Sequence, residues 1–182
     1  MEGANIYRGT GVVFGILTGL LICVILFRFV NRDKKIMTKY DERQEAVRGK
    51  AYMYGFWGSM IGAAIVICID CAGIVIANRF AMDFFIIFVG ILVQVTYSIW
   101  HDGYYGINTN KKRFYLISLA AGIVNLLVVA AQVREGVFIV DGVMSDSAVN
   151  LMCVILFLVV AAELIMKDAA DKKREASEES ED

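Results

Sequence analysis

Apolar residues along this chain fall into long blocks instead of alternating with polar ones. Five runs stand out, at Thr10 to Phe27, Ala51 to Ala77, Phe84 to Trp100, Phe114 to Val133 and Val149 to Met166. Each is long enough to cross a hydrocarbon layer of ~30 Å as a helix, the third, at about 17 residues, being at the short end. Inside lipid the backbone must satisfy its own hydrogen bonds, so continuous apolar runs predict helices, and the period-two alternation of an outer-membrane strand is missing. The pattern predicts an all-α integral membrane bundle of five transmembrane helices. Residues 1–166 form one membrane domain, and residues 167–182 a charged tail.

The connections carry their own signals. Thr38 with Asp41 three residues later resembles a capping box, with Asp in the place of Glu or Gln, and Glu45 and Arg48 then occupy neighbouring helical positions. Such a helix runs into the second span without a break, and that span, roughly 40 Å long, must tilt or protrude. "NRFAMD" reads as a short hairpin between spans two and three. "HDGYYGINTNKKR" reads as a connection built on Gly103, Gly106 and Asn108, and "REGVFIVDGVMSDSA" as a loop with a brief strand pair around Asp141 and Gly142. The tail begins basic, ends acidic and reads as a helix that frays.

Charge fixes an orientation. With the N-terminus outside, only Arg8, Arg79 and Arg134 of the 18 lysines and arginines fall on the outer side, which is the positive-inside bias of a plasma-membrane protein. The first segment, "MEGANIYRGT", has no basic cluster and its apolar core exceeds a typical signal-peptide core, so the first run reads as a retained, N-out anchor. Tyr52, Tyr54, Trp57, Tyr97, Trp100 and Tyr115 cluster towards the predicted inner boundary, where a ring lies in the interface with its polar atom hydrated. A hydrophobic fraction of 58% and the absence of proline, with a mean hydropathy of +0.62, agree with this reading. The net charge of −1 adds nothing to it.

Three groups of residues invite a chemical reading. Gly11, Gly15 and Gly19 in the first span, and Gly55, Ser59 and Ala63 in the second with Gly58 and Gly62 beside them, form stripes that would let another helix approach closely. Asp70 falls about 10 Å inside the outer end of the second span, with Gln94 and Asn125 at similar predicted depth, so the three are a candidate intramembrane polar site. That site is either an ion or proton site or a structural fastening between helices. The "CIDC" stretch places Cys68 about 160° from Asp70 on a helical wheel, so all four cysteines read as small packing residues. Glu163, four residues before Lys167, is placed for a helical ion pair. His101 lacks an accompanying nucleophile, and neither a Walker loop nor an HExxH motif occurs, so the sequence calls for no catalytic residue, no metal, no cofactor and no nucleic-acid partner. The basic inner segments suit anionic lipid instead.

Two stretches at the predicted inner edge, "YDERQEAVRGKAYMYGF" and "DGYYGIN", resemble signatures in a family of small, uncharacterised bacterial multi-pass membrane proteins that carry a D-E-R-Q segment before a transmembrane span. The resemblance implies a location in the bacterial cytoplasmic membrane and implies no activity. Such proteins accompany small helix-turn-helix regulators, which the resemblance extends to signalling or stress physiology. Asp41, Glu42, Arg43 and Gln44 on one segment share a membrane face with Asp102, Tyr104, Gly106 and Asn108 on the other. They either dock into a cytoplasmic platform, through pairs such as Arg43 with Asp102, or stand as two separately solvated boundaries. The expected role is non-enzymatic, that of a membrane subunit or signalling-associated protein binding a protein partner or forming a homo-oligomer. The alternative is a small transporter or channel centred on Asp70.

Overall fold

The computed structural model describes residues 40–106 and 111–178, together with Thr18 and Leu21. The chain divides into two units, Met1–Lys39 and Tyr40–Asp182. In the first, Thr18 and Leu21 are helical. The expected span at Thr10 to Phe27, with Gly11, Gly15 and Gly19, otherwise lies outside the described residues, as do Cys23, Thr38 and Asn108. The second unit holds helices α1 (Glu42–Cys71), α2 (Arg79–Trp100), α3 (Lys111–Arg134) and α4 (Ala148–Glu178). Between α3 and α4 lies a hairpin of β1 (Ile139–Val140) and β2 (Val143–Met144). The described chain is thus mostly helical, and each of the four helices is long and apolar enough to cross a membrane.

Helix boundaries follow local chemistry, and they move several expected ends. A capping box expected at Thr38 and Asp41 is found three residues later, at Asp41 and Gln44. Asp41 caps α1 by accepting from the Gln44 N–H at 2.7 Å, and the Gln44 side chain accepts from the Asp41 N–H at 3.3 Å. At the far end α1 stops at Cys71 and not at Ala77. Gly73 adopts a left-handed φ of +69°, with Gly73 N–H donating to the Asp70 carbonyl and Ile74 N–H to that of Ile69. This is a Schellman closure that a residue with a Cβ would resist. Asn78 then caps α2 through the Ala81 N–H at 2.9 Å. The helix therefore begins at Arg79, and the "NRFAMD" stretch expected as a hairpin is mostly helix. This lengthens the marginal third run to 22 residues. α4 continues past Met166 as one helix of 31 residues, about 46 Å long, so the tail prolongs the last span. In the β1–β2 turn Asp141 and Gly142 both have positive φ, the mirror-image turn that hairpin twist favours.

α1 packs along α2, α2 against α4, and α4 against α3. One end of the unit gathers the start of α1, the end of α2, the start of α3 and the later part of α4. The hairpin end gathers the opposite termini, where β2 also bonds to the 76–78 segment through Met144 N–H to Ile76 and Asn78 N–H to Met144. A small core of Ala77, Ala81 and Ala148 closes the hairpin end, and Ile99, Val160 and Leu164 close the charged end.

The face of α1 towards α2 is the row Ala51, Gly55, Gly58, Gly62 and Val66, all buried. The row expected through Ser59 and Ala63 lies at its edge, both residues being half-buried. A Cβ at Gly55 would come 2.9 Å from the Gln94 Cβ, and one at Gly90 would collide with the Ser59 hydroxyl. At most 22% of the most apolar stretch of any helix is buried within the unit. The larger part of the apolar surface of these helices thus faces outward, which suits helices that cross a membrane. Gly55→Leu and Gly90→Leu should each lower the unfolding temperature in detergent, by overpacking worth about 1–3 kcal/mol. Gly49→Ala, where a methyl would meet nothing within 4 Å, should not lower it. Circular dichroism melts of the three variants check this.

Candidate functional site

The charged end is organised by the turn after α2. His101 stacks on Tyr97 with centroids 3.9 Å apart, Asp102 takes a left-handed φ of +62°, and Gly103 N–H closes back on the Ser98 carbonyl at 2.8 Å. Aspartate tolerates that conformation better than most side chains. Gly103 is needed for closeness, because a Cβ there would stand 2.6 Å from a Val47 methyl. The turn therefore lies directly against the first turns of α1.

Gln44 makes the connection. Its Nε2 donates to the Asp102 carbonyl at 3.2 Å and to the Tyr105 carbonyl at 3.0 Å, while its Oε1 serves the α1 cap. Arg43 Nη2 donates to Asp102 Oδ2 at 3.3 Å. Lys167, from α4, brings its Nζ to 3.1 Å from Asp102 Oδ1 and 2.9 Å from Asp171 Oδ1. The Asp102 carboxylate is thus held by cations from two helices. Burial pushes its carboxyl up, but the hydrogen bonds and charges of Lys167 and then Arg43 outweigh burial and hold it below the ordinary carboxylate range. Tyr104 and Tyr105 pack edge-on against each other and against Phe114, and burial, followed by the neighbouring Tyr40, pushes the Tyr104 phenol up. It stays a neutral donor at physiological pH. A cavity of about 260 Å³ opens between these parts, lined by Gln44, Asp102, Gly106, Lys167, Asp168 and Asp171 among others.

The expected platform residues thus divide. Gln44, Asp102, Tyr104 and Gly106 line or build one network and Arg43 joins it, whereas Asp41 and Glu42 stand exposed on the first turn of α1. Lys167, Asp168 and Asp171 join from α4, and sequence reasoning missed them by assigning Lys167 to Glu163. That pairing is a correction, because Lys167 has two nearer carboxylates. Glu163 instead accepts from the Thr96 hydroxyl at 2.8 Å, and its other oxygen is buried without a hydrogen-bond partner.

The candidate site of Asp70, Gln94 and Asn125 does not assemble. Because Gly73 ends α1, Asp70 lies in its last turn, half exposed, and pairs with Arg79 Nη1 at 3.1 Å, while Arg79 Nε reaches Asp83 at 3.1 Å. Gln94 packs beside Gly55, about 22 Å further along α1. Asn125 returns its Nδ2 to the Ala121 carbonyl of its own helix at 2.9 Å. Cys68 and Cys71 are free and exposed, so they line the helix surface where core packing was expected. No protein-family model, curated protein or solved structure matches this chain.

Asp102's folded-state value is depressed, so its contribution to stability is full above about pH 4 and is lost as pH falls through the lowered value. Asp102→Asn keeps the tolerance for a left-handed φ while removing the charge. Its unfolding temperature should lie below wild type at about pH 6, and the gap should narrow as pH falls below about 4. A gap unchanged with pH would mean that the carboxylate's charge contributes nothing.

Proposed function

We propose that this chain is a non-enzymatic, multi-pass membrane protein of the bacterial cytoplasmic membrane, whose charged end is a cytoplasmic docking surface for a protein partner. In this reading five helices span, with residues 10–27 as the first, so that the N-terminus lies outside and the C-terminus inside. Supporting it is the connectivity of the described helices: the start of α1 and the later part of α4 share one end, so a further crossing before α1 would put the two termini on opposite sides. The outward apolar surface and the concentration of lysine and arginine at the charged end support it as well.

The observation that carries the docking reading is the network of Arg43, Gln44, Asp102 and Lys167, drawn from α1, α4 and the turn after α2. It holds the exposed Asp41, Glu42 and Arg43 on a fixed frame. A surface already ordered loses little conformational freedom when a partner binds, and both charge signs on it provide specificity. The likeness to small bacterial membrane proteins associated with regulators points the same way, towards a signalling partner.

Two experiments test this. In intact cells carrying a cysteine-free background, Val140→Cys should react with an impermeant thiol reagent and Tyr40→Cys only after permeabilisation. The opposite labelling would overturn the orientation. Purified from its own membranes in mild detergent, the chain should bring down a partner in fixed ratio, and the charge reversal Glu42→Arg should release it, whereas Asp83→Arg at the hairpin end should not. A chain that purifies alone, or equal effects of the two reversals, would overturn the docking reading.

Ion or proton movement is a second reading, and one observation favours it: Glu163, with a buried unpartnered oxygen, sits between α2 and α4 in the expected last span. In proteoliposomes Glu163→Gln should abolish any flux the wild type shows. Flux unchanged by the substitution would remove that centre.

A further inference from the structure

Two of the described lysines and arginines, Arg48 and Lys167, are half-buried, and the others whose side chains are described are exposed. Lys167 sits between two carboxylates. Arg48 has none. Its guanidinium lies over the Tyr40 ring, 4.0 Å from the centroid, and makes one long hydrogen bond to the Tyr52 hydroxyl at 3.4 Å. A guanidinium carries five N–H donors and cannot shed its charge, so among the described residues most of its hydrogen-bonding capacity is unused and its charge is uncompensated.

A cavity of about 250 Å³ adjoins it, many times the space one water requires. Tyr40, Tyr52, Tyr104, Gln94 and Ser98 line this space with Arg48, and among the described residues no acidic one contributes to its wall. Since the Tyr104 phenol is held neutral, it can donate. A recess whose described lining has one fixed positive charge, hydroxyl-bearing side chains and no carboxylate selects an anion.

Its position narrows the class of anion. Arg48 precedes the point where α1 turns apolar, at Ala51. One and two turns further on, Tyr52 and Phe56 stand on the same side of the helix, 54% and 59% exposed. A soluble phosphate would make no use of that surface. A phospholipid would set its phosphate at Arg48 and lay an acyl chain along it. We propose that the Arg48 recess is a binding site for the phosphodiester of an anionic membrane phospholipid, the guanidinium holding the phosphate and the tyrosine hydroxyls donating to it. A zwitterionic lipid is disfavoured, because it brings its own cation to a recess already positive. The inference rests on the reading that α1 and α2 cross a bilayer.

The full chain, purified and delipidated in neutral detergent, should be stabilised against heat by dioleoylphosphatidylglycerol at concentrations about tenfold below those of dioleoylphosphatidylcholine. Inorganic phosphate should have no such effect. Arg48→Gln should bring the two lipids level, while Lys50→Gln, which removes a neighbouring exposed cation, should leave the preference in place. Full retention of the preference in Arg48→Gln would overturn the assignment, and so would equal protection by inorganic phosphate, which would mark a soluble-anion site. If Arg48→Gln does not fold, native mass spectrometry of the wild type decides: one phosphatidylglycerol should remain bound per chain, and none retained would overturn the proposal. Resistance of the chain to alkaline extraction from membranes tests the spanning reading separately, so a chain that stays in the membrane but shows no lipid preference counts against Arg48 alone.

Discussion

The carboxamide of Gln44 joins what would otherwise be two independent pieces of backbone. Its oxygen satisfies the Asp41 N–H at the start of α1, and its nitrogen serves the carbonyls of Asp102 and Tyr105 in the turn after α2. Without it, that turn would have two carbonyls to satisfy elsewhere, and its tie to the start of α1 would be reduced to the Arg43–Asp102 pair and the close approach of Gly103 to Val47. The contact fixes the distance between the beginning of α1 and the end of α2. The glycine-lined face above it can then remain in register, with Gly55 opposite Gln94 and Gly62 opposite Ile86. A side chain shortened by one methylene, Asn, would reach one of these groups at most.

From that anchor outward, the unit divides its polar and apolar surfaces in an unusual way for a folded chain. The fully buried residues are mainly small, among them alanine, glycine and serine, with Leu164 the largest side chain almost wholly enclosed. Large apolar residues such as Leu116, Leu127 and Ile165 are more than 60% exposed. In water this would be a loss of the main stabilising term. In hydrocarbon those side chains cost nothing where they stand, and helix association depends on close packing, on hydrogen bonds such as Tyr115 to the Leu164 carbonyl at 3.0 Å, and on the polar networks at the two ends.

The residues that make helices here were legible in the sequence, because runs of apolar residues and capping chemistry are local properties. The turn at Asp141 and Gly142 was legible for the same reason. Helix ends were less so: Gly73 looked like one more glycine in a membrane run, and only its left-handed φ shows that it stops α1 and leaves Asp70 at the surface. The grouping of Asp70, Gln94 and Asn125 failed on this point. Depth was counted from an end six residues too far along, and helical-wheel angles carry no information about which helix lies opposite. The partnership of the two motif segments was visible as a shared membrane face. The part played by Lys167 and Asp171 was hidden, since nothing in the order of residues says that α4 rather than α3 packs against α2.

That arrangement also accounts for the contrast between the two half-buried cations. Lys167 projects from α4 into the junction with the α2 turn, where Asp102 and Asp171 meet it, and its burial is offset within the chain. Arg48 projects from α1 on a side where the neighbours are tyrosines. A half-buried guanidinium is stabilised by ring faces only in part, since an aromatic quadrupole supplies a fraction of what a carboxylate does. Solvent supplies the remainder where it can reach, and in the spanning reading the medium at the level where an apolar run begins is the headgroup layer rather than bulk water. In the proposed lipid site, a phospholipid phosphate supplies the counter-charge for Arg48 that Asp102 and Asp171 supply for Lys167.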